Sequence, residues 1–288
     1  MTTSAFTISG RGTLDIVDSQ FHLSHVLNVD ALVPAMDALG IAGLVADELW
    51  GRDARDHPIP SVDIPGGFRP VSPLAQAAAM LYPERFCFLQ RLSRHDPQLA
   101  DVVKVLAGTP GCRAVRASMR NETEWAAFRA GAYDRILGLA QDHGLPIFVL
   151  GRNAGELLAD TPRRYPALKL IIDHCGWLDP AGDIPAQWAN VLAMAQHPNV
   201  FLKWCHASHF FCRPGDAADT LQQAFMQAKQ AFSAERIMWA SDTTHEQSRQ
   251  TWRGLLDFVD ANTGLSAHER QWILGKTVRS VLNWAPPS

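Results

Sequence analysis

Eight short, apolar, β-rich runs recur along the chain, at residues 14–17, 41–45, 86–89, 114–117, 147–150, 170–172, 200–202 and 237–239. Each leads through a loop into a stretch long enough for a helix. Strands that alternate with helices predict a parallel sheet covered by helices. Eight such units in 288 residues fit a closed (β/α)8 TIM barrel, and the chain reads as one barrel domain over residues 1–288. An open doubly wound sheet is the alternative, since a sequence does not display closure. No GxGxxG follows the first run, which counts against the dinucleotide-binding form of that alternative.

Helix boundaries support the alternation. Asn121 reads as an N-cap with Glu124 in the reciprocal position. The helix it opens continues through Trp125 and Phe128, and the helix system runs on through Ile136, Leu137 and Ala140 and stops at Gly144. Residues 221–232 and 267–282 read as further helices. Residues 51–73 have no periodicity and read as a long irregular loop over the catalytic face, with His57 inside it.

Several functional classes are excluded by composition. A formal net charge of −3, with basic residues scattered, offers no footprint for nucleic acid or an anionic membrane. No apolar run is long enough to span a bilayer, and the N-terminus lacks a signal-peptide pattern. The five cysteines, Cys87, Cys112, Cys175, Cys205 and Cys212, form no CxxC pair and suit reduced thiols in a cytoplasmic protein. The expected partner is a small molecule. A homo-oligomer is compatible with the sequence, which does not fix the oligomeric state.

In a parallel barrel, chemistry sits past the C-terminal ends of the strands. Here those ends carry Gln20 and His22, then Asp47 and Glu48, then Gln90 and Arg91. Arg113, Arg116 and Arg120 mark the fourth strand, Gly151-Arg152-Asn153 the fifth, and Asp173 and His174 the sixth. Lys203, His206 and His209 follow the seventh, and Ser241 and Asp242 the eighth, with His245 beyond. Arg116 lies inside an apolar strand, where its charge needs a partner or an anion. His209 and His245 read as loop residues. Trp50, Trp177, Trp204 and Trp239 lie near strand ends, where each either walls a pocket or packs in the core. Several ionisable groups on different strand ends are what a barrel site requires.

These residues carry a resemblance. The segments IVDSQFHL, GCRAVR, LKLIIDHCG, NVFLKW and RIMWASD, with the closing WILGKTVRSVL, make the chain similar to the amidohydrolase superfamily. Within it, the chain resembles the metal-poor lactonase group that includes 2-pyrone-4,6-dicarboxylate lactonase and fuconolactonase-like enzymes. The resemblance implies a distorted barrel and a catalytic set of Asp242, His174 and His22, with Asp242 activating water. Gln20, Arg116, Lys203, His206 and Trp50 are the substrate-binding candidates. Two positions depart from the family pattern. Gln20 stands at the first place of a His-x-His pair, and Leu150-Gly151 stand where the fifth strand has a His. They remove two nitrogen ligands, so the expectation is no cofactor and no tightly bound metal. His22, Asp242 and His174 are the set on which a single Zn or Mn ion would depend. The function expected is hydrolysis of a cyclic ester, a lactone, that bears a carboxylate. The alternatives are a metal-dependent non-oxidative decarboxylase of an aromatic acid, or a binding protein that has lost catalysis.

Overall fold

The computed structural model describes residues 14–24, 28–50, 59–244 and 250–286. The described residues include ten strands: β1 (Ile16–Leu23), β2 (Ile41–Glu48), β3 (Ser61–Ile64), β4 (Gly67–Pro70), β5 (Phe86–Arg91), β6 (Cys112–Met119), β7 (Ile147–Gly151), β8 (Leu170–Ile172), β9 (Val200–Trp204) and β10 (Ile237–Trp239). Eight of them form one sheet in the order β1-β2-β5-β6-β7-β8-β9-β10, and every pair is parallel. Helices lie between the strands, so this is a (β/α)8 barrel.

The seam between β1 and β10 is joined by individual bonds rather than a regular ladder. Ser19 Oγ donates to the Trp239 carbonyl at 2.7 Å, Ser241 N to Asp18 Oδ1 at 2.9 Å, and Asp242 N to the Gln20 carbonyl at 3.0 Å. The barrel is therefore nearly closed and irregular at the point where Asp242 emerges.

Strand alternation explains what faces inward. Val17, Val45, Cys87, Leu89, Ala114, Phe148, Ile171 and Met238 share an interior cluster with Val278, Val281, Leu282 and Trp284. The C-terminal helix thus plugs the barrel end opposite the strand C-termini. Two residues beyond inward-facing core positions come Asp47, Arg91, Arg116, Leu150 and Asp173, all on the same inward face. On β1 the register against β2 shifts between Asp18 and Phe21. That bulge re-aims the strand, so that Gln20 and His22 turn inward while Phe21 and Leu23 join the outer core.

Some local expectations are corrected. Residues 61–70 form an antiparallel hairpin, β3–β4, turning at Gly66 with φ +89°, where a residue without Cβ is needed. Arg69 ties it to Asp96 at 2.6 Å. Residues 51–58, with His57, lie outside the described residues, as does His245. The helix system expected from Asn121 to Gly144 consists of two helices, Glu122–Arg129 and Asp134–Asp142. Asn121 does cap the first, accepting from Glu124 N at 3.0 Å. Glu124 does not return the bond; its carboxylate takes Arg94 at 2.9 Å and Tyr133 Oη at 2.5 Å, and a long-range ion pair wins over the local reciprocal bond. The closing helix contains a π-turn, Trp272–Lys276, where Gly275 lies so close to the Asp15 carbonyl that a Cβ would overlap it. Among the described residues no helix is long and apolar enough to cross a membrane.

Candidate active site

At the C-terminal end of the barrel a cleft of about 220 Å³ is lined by His22, Leu49, Arg91, Arg116, Arg120, Leu150, His174, Trp177, His206 and Asp242. Seven of the eight barrel strands or the loops just after them deliver a wall residue beside Asp242, which follows β10. The arrangement has two layers.

The lower layer is a closed ring of five buried side chains from five strand ends. Lys203 Nζ donates to Gln20 Oε1 at 2.5 Å. Gln20 Nε2 donates to Asp47 Oδ2 at 3.1 Å. Asp47 Oδ2 also accepts from Arg116 Nη1. Arg116 Nη2 lies 2.7 Å from Asp173 Oδ2, and Asp173 Oδ1 lies 2.5 Å from Lys203 Nζ, closing the circle. Arg91 braces it from outside, gripping Asp47 with Nε at 2.8 Å and Nη2 at 2.5 Å. Buried charges are tolerable only when paired and hydrogen-bonded, and here each meets at least one opposite charge. Burial alone would raise the Asp47 carboxyl, but Arg91, Arg116 and His22 outweigh it and hold Asp47 well below the usual carboxylate range. Burial likewise opposes the Arg116 charge, and Asp173 and Asp47 overturn that and raise it. Gln20 has a specific part in the ring: only an amide offers an acceptor to the ammonium and a donor to the carboxylate on adjacent atoms.

The upper layer is Asp242 among three histidines. His206 Nε2 lies 2.8 Å from Asp242 Oδ2 and His22 Nε2 lies 3.1 Å from Oδ1, while His174 Nε2 stands off at 3.9 Å. Burial pushes the Asp242 carboxyl up, but His22 and His206 outweigh it, so the group sits well below its ordinary value and stays ionised. His22 Nδ1 faces the Asp47 carbonyl at 3.1 Å. For His174, burial first, then Lys203 and His206, lower its affinity for a proton well below normal. Its ring is neutral, and Arg116 Nη2, a pure donor, lies 3.2 Å from Nε2. The proton of His174 therefore belongs on Nδ1, which is buried without a hydrogen-bond partner in the structure. Asp242, His174 and His206 all have left-handed backbones, with φ of 47°, 48° and 53°. Such a conformation costs a non-glycine residue about 1 kcal/mol or more and clusters at functional sites.

Of the sequence candidates, His22, Arg116, His174, His206 and Asp242 meet at the cleft. Gln20 and Lys203 lie in the floor beneath it, both completely buried. Trp50 does not line the cleft; its indole donates to Glu48 at 2.7 Å and the residue is 42% exposed. Trp177 does line it, packing against His174 and His206. Trp204 and Trp239 belong to the core, and His209 is exposed. Asp47, Arg91 and Asp173, noted in the sequence only as strand-end residues, hold the ring together. The signal that marks them is their place two residues past an inward apolar position.

His174, Cys205, His206 and Asp242 have ligand atoms within 4.8 Å of one another, which makes them the donor set to test against a divalent ion. They fit it poorly. Arg116 takes up the His174 Nε2 lone pair. Burial pushes the Cys205 thiol well up, against the thiolate a metal needs. Arg116 and Lys203 also place fixed positive charge directly beneath His174, which a divalent ion bound there would have to face.

A model of the family described as amidohydrolase matches residues 29–284. The chain belongs to the amidohydrolase family. It is 30% identical over 150 residues to an L-fucono-1,5-lactonase of Burkholderia ambifaria, a match that spans 50% of this chain and 49% of that protein. Among solved structures, an amidohydrolase from Burkholderia multivorans with bound HEPES superposes with a TM-score of 0.74 at 21% identity, covering 94% of this chain and 100% of that one. A second crystal form of that protein holds zinc. A candidate 2-pyrone-4,6-dicarboxylic acid hydrolase from Pseudomonas putida gives a TM-score of 0.69 at 20% identity, covering 95% and 99%. These two likenesses establish the fold. The family membership makes this amidohydrolase an enzyme.

Proposed function

We propose that this amidohydrolase opens a carboxylate-bearing lactone with water activated by Asp242, without a tightly bound metal. The observation that carries this reading is the ionised Asp242 carboxylate, held between His22 and His206 in a cleft whose other charged walls are guanidinium groups. Water adds to the ring carbonyl and gives one proton to Asp242. The tetrahedral oxyanion forms beside the cationic wall, where fixed donors stabilise it without reorganising. The ring C–O bond then breaks, and the departing oxygen takes the proton back through the Asp242–His206 pair. The product is the open hydroxy acid or its keto form.

A carboxylate held so far below its usual range is a weak base, so carbonyl polarisation must supply much of the rate. Neutral His174 accepts from Arg116 through Nε2, and both ring nitrogens of His22 are engaged by Asp47 and Asp242, which leaves the guanidinium groups of the wall as the polarising donors. The substrate carboxylate is assigned to Arg120, whose guanidinium is exposed on the cleft wall.

Among the described residues, the cleft wall carries no hydroxyl or amide side chain, while Leu49, Leu150 and Trp177 give it apolar faces. That favours a flat, hydroxyl-poor ring over a sugar lactone, whose hydroxyls would lose water without gaining partners. The test is a panel of lactones read by proton release. Carboxylated unsaturated lactones should turn over, with sugar lactones at least about 100-fold slower in kcat/KM. Faster turnover of sugar lactones overturns the substrate assignment, and no hydrolysis by a folded enzyme overturns the reaction.

A further inference from the structure

One buried carboxylate takes no part in the cleft. Asp18 is completely buried on β1, at the barrel seam, where its hydrogen-bond donors from Gln20, Ser241 and Trp252 are neutral. Its two oxygens accept four hydrogen bonds. Oδ1 takes Ser241 N at 2.9 Å and Gln20 N at 3.2 Å; Oδ2 takes the Ser241 hydroxyl and Trp252 Nε1 at 2.8 Å. Two of the four donors belong to the residue just before Asp242.

The Ser241 hydroxyl does more than close the seam. Having given its proton to Asp18, it presents a lone pair, and Thr243 N donates to it at 3.1 Å. A single oxygen thus binds the residues on both sides of Asp242. Asp242 N is fixed in turn to the Gln20 carbonyl at 3.0 Å, and Thr244 Oγ1 accepts from His22 N at 3.2 Å. Inside this bracket Asp242 adopts φ +47°. The left-handed backbone at Asp242 is set by the bonds around it, and those on its Ser241 side end on Asp18.

We propose that Asp18, acting through the Ser241 hydroxyl, is a positioning residue that aims the Asp242 carboxylate into the cleft. The proposal rests on the reading of Asp242 as the base. A carboxylate is suited to the task because it accepts at both oxygens. An asparagine would present its amide N–H groups to the indole N–H of Trp252 or to the Ser241 hydroxyl, and would reverse the direction of that hydroxyl.

The competing explanation is that Asp18 only ties the seam. Ser19 separates the two, because its hydroxyl also spans the seam, to the Trp239 carbonyl at 2.7 Å, without touching the Asp242 turn. The experiment compares Ser241→Ala, Asp18→Asn, the double variant and Ser19→Ala with wild type, using the panel lactone that wild type hydrolyses best. Misplacing a reacting group by about 1 Å costs about 100-fold. Ser241→Ala and Asp18→Asn should therefore lose about 30- to 300-fold in kcat with KM within about twofold. The double variant should be no worse than the poorer single one, since both act through one hydroxyl. Ser19→Ala should keep kcat. A crystal structure of Ser241→Ala should show Asp242 out of the left-handed region and its carboxylate withdrawn from His206. The proposal is overturned if Asp242 stays in place in that structure, or if Ser19→Ala loses kcat as Ser241→Ala does. Should Asp242→Asn itself retain turnover, the reading of the base fails instead, and the structure of Ser241→Ala still decides the clamp.

Discussion

His206 Nε2 lies 2.8 Å from Asp242 Oδ2, and both residues are left-handed, on neighbouring strand ends. Two strained backbones that meet in one imidazole–carboxylate hydrogen bond define the reacting corner of the cleft. Asp242→Asn keeps the size of the side chain and removes its charge. We expect kcat to fall by about 1,000-fold or more while the circular dichroism spectrum is unchanged. His206→Asn should cost about 10- to 100-fold, because His22 still flanks the carboxylate. Near-normal turnover of Asp242→Asn on the best lactone would refute the mechanism.

Arg116 and Arg120 are four residues apart, yet the structure predicts opposite phenotypes. Arg120 is exposed on the cleft wall, so Arg120→Ala should raise KM about tenfold or more with a smaller effect on kcat. Arg116 is 1% exposed and holds Asp47 and Asp173. Arg116→Ala leaves two buried carboxylates short of a partner and should destabilise the fold by about 3–5 kcal/mol. Urea melts and steady-state kinetics on both variants check this. A stable Arg116→Ala enzyme with only a raised KM would return the carboxylate anchor to Arg116.

The barrel was legible because eight apolar runs alternate with helical stretches, and all eight expected runs fall within or overlap barrel strands. The gathering of His22, Arg116, His174, His206 and Asp242 was legible from their places at strand ends. The ring through Asp47 and Asp173 was not, because it depends on inward direction, and on β1 a bulge changes that direction for Gln20. The left-handed φ values of His174 and His206 leave little trace in residue type, and at Asp242 aspartate permits that region without requiring it. Glu124 shows the same limit in a helix: its local pattern promised a capping box, and Arg94, 30 residues away, took the carboxylate. Trp50 lies outside the described cleft wall, with its indole on Glu48 two residues earlier.

Asp18 links stability to pH with a definite sign. Burial raises its carboxyl from 3.8 to about 6, against the hydrogen bonds from Ser241, Gln20 and Trp252. A raised carboxyl favours folding fully below its unfolded value and loses that contribution as pH rises through the folded value. The window is therefore between about pH 4 and pH 6, and the change is about 3 kcal/mol. Asp47 and Asp242 are shifted down, so they act oppositely and lose their contribution as pH falls below the usual carboxylate range. Substituting asparagine isolates the Asp18 part. The difference in Tm between Asp18→Asn and wild type should move in favour of the variant between pH 4.5 and pH 8. A difference independent of pH would mean that Asp18 does not titrate in this range.

Metal content tests the charge balance of the cleft. A catalytic zinc normally takes three protein ligands and leaves one position open. His22 and His206 flank Asp242, which gives three donors, so the count alone does not exclude an ion. The surroundings oppose it. Lys203 supplies a positive charge in the floor, 2.5 Å from both Gln20 Oε1 and Asp173 Oδ1, and Arg116 engages His174 Nε2 at 3.2 Å. Each of these cations would have to move or lose its partner before a divalent ion could gain His174 as a further ligand. We expect purified enzyme to carry well under one equivalent of zinc or manganese, and kcat/KM to survive prolonged chelation. Added zinc should inhibit rather than activate, because it would compete with water for the Asp242 carboxylate. Near-stoichiometric metal, with activity lost on chelation and restored by the ion, would show that the positive wall yields to a metal and that water is activated on it.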